Sequence, residues 1–264
     1  MLAKSFLTLA AAACAVASPI AVSVSAGAGA SASAGPSCPH VPATPTLPKA
    51  GGASELPNPP EGTKLLHIAL GFGIQNYTCP TQGANATATG ALAMLYDATH
   101  LYPGQSQRSL SEEQWAALPG EVLNSRPVPL QFSTSTDGRA DPKHPGATND
   151  PWTAETPLIV EGARSLPFIG HHFFNAAGVP TFVLDDGKIM LLAKKIDSHA
   201  APASADPGPD KTGAVPWLYL GNNPGSIGAK YVYRVLTAGG NSHGCAVGAG
   251  GDSTSYTATY WFYG

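Results

Sequence analysis

Two adjacent histidines, His171 and His172, sit inside the apolar run SLPFIGHHFFNAAGVPTFVL and are the most reactive pair the chain offers. Imidazole binds metals and moves protons near neutral pH. In an extended strand, neighbouring side chains point to opposite faces, so one metal ion does not collect both rings. A strand pair would read His-x-His and a helical pair His-x-x-x-His. Histidines at positions 40, 67, 100, 144, 171, 172, 199 and 243 offer neither spacing. The expectation is that one ring faces the core beside Phe173 or Phe174 while the other lies toward the surface. Either is a candidate for lining a pocket, and no metal site follows.

The other chemical signatures are weaker. The run LLHIALGFGIQNY places Gly71-x-Gly73 after a strand, with Asp97 further on, which partly matches a dinucleotide fingerprint. The third glycine position is Asn76, however, and Tyr77-Thr78-Cys79-Pro80 follows where a helix must begin. Without that helix N-terminus nothing holds a pyrophosphate, so no nucleotide cofactor is expected. No Gly-x-Ser-x-Gly elbow and no His-Glu-x-x-His occurs. Asp137, Asp141 and Asp150 lack the spacing of a calcium loop and read as solvated acids. Glu155 and Glu161 share a face at best, since the partnership of two glycosidase carboxylates is spatial. Asn76-Tyr77-Thr78 and Asn85-Ala86-Thr87 are glycosylation sequons, with Asn85, in the polar TQGANATATG stretch, the better acceptor.

The elements that position these residues are mostly strands. Strict alternation marks 255–262, with Tyr256, Ala258, Tyr260 and Phe262 on one face. It also marks 227–236, with Ile227, Ala229, Tyr231, Tyr233 and Val235 together and Lys230 and Arg234 opposite. Each reads as a strand with one buried face. Residues 214–220, AVPWLYL, are apolar on both faces, as a central strand is, and 64–70 and 90–96 add two more. PTFVL and KIMLLAKKI flank Asp185-Asp186-Gly187, a hairpin signal. One short helix is expected, capped by Ser109 or Ser111 with Glu112 or Gln114 three residues on, and stopped by Pro119. Two Pro-, Asp- and Gly-rich stretches, 133–152 and 198–213, read as long loops. The fold class is therefore all-β, mainly an antiparallel sandwich or barrel, with one short helix.

Residues 1–26 have the layout of a secretory signal peptide: Lys4, an apolar stretch from Phe6 to Ala17, then small residues, with cleavage after Ala17 or Ala26. Residues 27–62 form a flexible Ala/Gly/Ser/Pro-rich leader and arm, poor in apolar side chains to bury. Residues 63–264 form a single β domain. The apolar stretches are too short for a membrane span. Charged residues are 12% of the chain and the net charge is −3 without a basic run, which argues against a nucleic-acid surface. Cys14 leaves with the signal peptide, so Cys38, Cys79 and Cys245 remain for an oxidising compartment. Cys79–Cys245 is the expected disulfide, both residues lying at strand edges. Pairing of Cys38 with one of them is the alternative.

Six ordered motifs, HIALGFGIQNYTC, ALAMLYDA, GHHFFNAAGVPTF, AVPWLYL, YRVLTAGG with the following Cys245, and YTATYWFYG, resemble a fungal secreted family. The resemblance runs from about Cys38 to the C-terminus. The family is catalogued as a domain of unknown function and often labelled malate dehydrogenase. It commonly carries a further cysteine after the LYDA-like segment, where this chain has His100. That difference leaves Cys38 without its family partner and implies the Cys79–Cys245 bridge. The resemblance brings no catalytic residues, and the missing fingerprint argues against NAD-dependent malate dehydrogenase activity. The expectation is a secreted, non-catalytic extracellular or cell-wall protein, without cofactor, that binds wall polysaccharide or a host-surface molecule. The alternatives are an effector or elicitor in host colonisation, and a hydrolase with a site assembled near His171 or His172.

Overall fold

Eight antiparallel strands close into a barrel, ordered β1-β12-β11-β10-β9-β8-β7-β2 around the ring. In chain order the strands are β1 (Leu65–Cys79), β2 (Thr87–Asp97), β3 (Leu130–Phe132), β4 (Ala147–Trp152), β5 (Leu158–Val160), β6 (Arg164–Leu166), β7 (Phe168–Phe174), β8 (Pro180–Leu184), β9 (Ile189–His199), β10 (Trp217–Asn222), β11 (Tyr231–Gly239) and β12 (Gly250–Tyr263). The α-helix found among the described residues, α1 (Glu112–Ser125), lies against β11 and β12. The pairs β3–β4 and β5–β6 form two small separate sheets. These elements come from a computed structural model that describes residues 42–52, 54–132, 147–160, 162 and 164–264. The segment 1–26, expected to be a signal peptide, and Cys38 lie outside the described residues.

Alternation along each barrel strand sorts the side chains into two buried clusters. The lumen holds Ala69 and Leu95 with Phe182, Leu191, Val232, Tyr256, Tyr260 and Phe262. The outer face of β1, β11 and β12 presents Ile68, Leu70, Phe72, Val235 and Trp261 to Trp115, Leu118 and Val122 of α1. Small residues on β1 make room for the rings of β12, the small-against-large pairing a narrow barrel needs. A Cβ on Gly71 would lie 2.5 Å from the Tyr260 ring, and one on Gly73 would lie 1.8 Å from the Leu92 carbonyl oxygen. The Gly71-x-Gly73 pair therefore sits mid-strand inside the barrel wall, not at a strand-to-helix turn.

Four expectations need correction. Pro119 does not stop the helix; it lies inside α1, which runs on to Ser125. An interior proline costs about 3 kcal/mol. Trp115 and Leu118 before it and Val122 and Leu123 after it all bury, which holds the helix through the break, and the Pro119 carbonyl accepts from Thr257 Oγ1 at 2.5 Å. The expected capping box forms at Ser111 and Gln114. Second, β12 has two buried faces, because the helix covers the side turned away from the lumen. Third, the strand expected over 227–236 starts at Tyr231, leaving Ile227 55% exposed and turning Arg234 inward opposite Tyr260. Fourth, part of the expected loop 133–152 is strand β4, paired with β3.

The described part of the arm has no regular structure, yet it is tied to the barrel. Thr46 N–H donates to Tyr102 Oη at 3.1 Å, and Leu47 and Leu56 pack on the outer cluster. Around Asp185-Asp186-Gly187 the backbone takes three successive positive φ values of 53°, 54° and 84°, closing the β8–β9 hairpin.

Candidate functional site

His171 and His172 diverge, one to each side of β7. His172 enters the lumen and is 4% exposed. Its ring stacks on Phe182 at 4.0 Å, and Nδ1 meets the Thr181 carbonyl at 2.9 Å, so Nδ1 carries the proton and donates. Burial drives its pKa down to about 4, which keeps the ring neutral. His171 lies outside the barrel against Trp152, 4.1 Å between ring centroids. Burial also lowers its pKa, against the pull of Glu155, whose carboxylate is 3.9 Å from Nε2. His171 lines a surface cavity of about 320 Å³ together with Glu155, Asp185 and Asp186. No single ion can reach both rings.

Other imidazoles are held by acids. His67 is flanked by Asp97, 3.7 Å from Nδ1, and Asp185, 2.9 Å from Nε2; Asp97 first and Asp185 with it raise its pKa. His243 Nδ1 lies 2.7 Å from Asp252 Oδ1, and the other oxygen of this buried carboxylate accepts from Ser242 Oγ and from the His243 backbone N–H. Among the described residues no cluster of three or more His, Cys, Asp or Glu side chains stands ready to hold a metal ion. Asp150 lies exposed in β4, while Asp137, Asp141 and Glu161 fall outside the described residues.

The Cys79 and Cys245 sulfurs are joined, closing a loop with a sequence separation of 166. The two sequons sit differently. Asn76 is half-buried in β1, paired on both sides, and its Oδ1 accepts from Ser253 Oγ. Asn85 is exposed in the connection from β1 to β2.

Another cavity lies beside α1, with a volume of about 560 Å³. That falls within the range of small-molecule sites, roughly 300–1,000 Å³. Ala117, Gly120, Glu121 and Asn124 fall at i, i+3, i+4 and i+7 and give α1 one stripe facing it. Across the gap Asp206 is fixed: Oδ1 accepts from the Gly208 N–H at 2.8 Å and Oδ2 from Asn124 Nδ2 at 2.9 Å. The floor is formed by Trp217 and by a bulge in β11, where Leu236 takes φ +48° and the register with β12 slips between Val235 and Ala238. Trp217 is 2% exposed, and its indole N–H has no acceptor among the described residues. A helix ended at Pro119 keeps only Ala117 of the four stripe residues, so this site was not legible in the sequence. Continuing the helical spacing through that proline would have exposed it.

Among the described residues no helix is long and apolar enough to cross a membrane. The family model that matches the chain is described as protein of unknown function (DUF3455) and covers residues 59–264. No curated protein and no solved structure matches.

Proposed function

We propose that this chain, which belongs to the DUF3455 family of proteins of unknown function, is an exported, non-catalytic binding protein of the fungal cell wall or extracellular space, taking carbohydrate or a host-surface molecule as ligand. One observation carries the reading. The cavity beside α1 is lined by small apolar residues and the Trp217 indole, with Glu121, Asn124, Ser204, Asp206 and Thr237 as its polar side chains. An apolar wall with a few convergent polar groups is the composition of a ligand-binding site. The signal-like segment 1–26, the long-range disulfide and the exposed Asn85 sequon support an exported setting. In a secreting eukaryotic host, Asn85→Gln should abolish the glycan-dependent shift on gels, and Asn76→Gln should leave it. A shift that persists in Asn85→Gln and vanishes in Asn76→Gln would contradict the assignment. The binding reading is tested by retention on insoluble glucan and chitin with release of sugars followed in parallel. Retention without released product is the expected result, and loss of the protein in every wash sinks the reading.

A second reading, hydrolysis at the cavity that holds His171, is favoured by the neutral ring standing among Glu155, Asp185 and Asp186. At 3.9 Å the His171–Glu155 contact is longer than a hydrogen bond, so no acid orients the imidazole. Product release that disappears in His171→Ala would establish this reading over the first.

A further inference from the structure

We infer that the cavity beside α1 is a saccharide site that accepts uncharged sugar rings and excludes acidic ones; this deepens the binding reading above and rests on it. Among the described residues the charged side chains that line it are Glu121 and Asp206, with no lysine or arginine in the lining. A uronate or phosphate entering there would meet two like charges and no cation, which costs it the water it gives up. A neutral sugar meets the opposite situation, because its hydroxyls donate to carboxylates in charge-assisted hydrogen bonds.

The acceptors are pre-set. Asp206 is held by the Gly208 N–H and Asn124, and Asn124 Nδ2 is further fixed by the Gly120 carbonyl at 2.8 Å, which leaves Asn124 Oδ1 to accept. Gly120 is what allows this closeness, since a Cβ there would lie 2.9 Å from Asp206 Oδ2. Among the described residues the Trp217 N–H is a buried donor without an acceptor, a state that costs stability. Trp217 lines the cavity together with Leu236, whose φ of +48° marks the bulge in β11. Ala117, Pro202 and Leu236 supply the apolar surface for the C–H face of a ring. Donor, acceptors and apolar wall together match a polyhydroxylated, uncharged ligand.

The test uses the full secreted chain and titrates it calorimetrically with laminarihexaose, chitohexaose and hexagalacturonate. At least one neutral oligomer should bind, with hexagalacturonate weaker by about tenfold or more. Ala117→Trp, at an exposed helix position, should fill the cavity and weaken binding more than about tenfold without moving the melting temperature. Trp217→Phe keeps the packing and removes the donor, and should weaken binding about fivefold. Equal affinity for hexagalacturonate, or undiminished binding by Ala117→Trp, overturns the inference. If Ala117→Trp is still retained on insoluble glucan or chitin, the binding reading stands and this cavity is not its site. If the unmodified protein is retained on neither, the binding reading falls, and this inference with it.

Discussion

At the scale of single residues, His172 makes the sharpest prediction. Its folded pKa is about 4 against 6.5 for the free side chain, so folding favours the neutral ring. The stability this contributes is fully present above 6.5 and is lost as pH falls toward 4, by about 3 kcal/mol over that window. His67 works in the opposite sense: its raised pKa gives stability that is complete below 6.5 and lost as pH climbs through the folded value. His172→Phe keeps the stack on Phe182 and removes the titration. Urea unfolding at pH 6.5 and pH 4.5 should then show a much smaller acid loss in the variant; an unchanged loss means the ring does not titrate in the core. That His171 and His172 diverge follows from strand alternation alone. Which one enters the lumen does not, because the inside of a barrel is defined by partners such as Phe182 and Tyr260 from other strands. The inward turn of Arg234 was hidden for the same reason. Its guanidinium donates from Nε and Nη2 to the Pro216 carbonyl at 3.2 and 2.9 Å, a local contact that no period reveals.

At the scale of elements, β12 carries the most weight. It pairs with β1 along its length and with β11, and Trp261, Tyr260 and Phe262 are each at most 1% exposed. Removing Tyr260–Gly264 strips hydrogen bonds from both neighbours and aromatic mass from both clusters. The expected outcome is insoluble protein without a cooperative melt, and a soluble truncation melting like the intact chain would show the strand to be dispensable. Strand existence was legible where side chains alternate, as at 255–262, and less so at β1, where Gly71, Gly73 and Asn76 look like loop residues but line a curved wall. The helix was legible from its cap and hidden beyond Pro119. Interior packing outweighs the missing hydrogen bond there, and packing is not written in local propensity.

At the scale of the whole molecule, the Cys79–Cys245 bridge ties the end of β1 to the loop entering β12. Constraining so long a loop restricts the unfolded chain and contributes about 5 kcal/mol by loop-entropy reasoning. Replacing both cysteines with serine should lower the denaturant midpoint strongly without changing the slope, and an unaltered midpoint would show the link to be ornamental. The all-β class was readable from many short alternating runs, whereas closure of the ring was not, because it depends on which distant strands meet. That meeting sets a timetable for the newborn chain. The first barrel strand finds one of its two neighbours only once β12 has been made, so one of its edges stays open until then. Until β12 closes the seam the cylinder is half built and carries an unpaired strand edge, and the sulfur bond sits at the entry to that last strand.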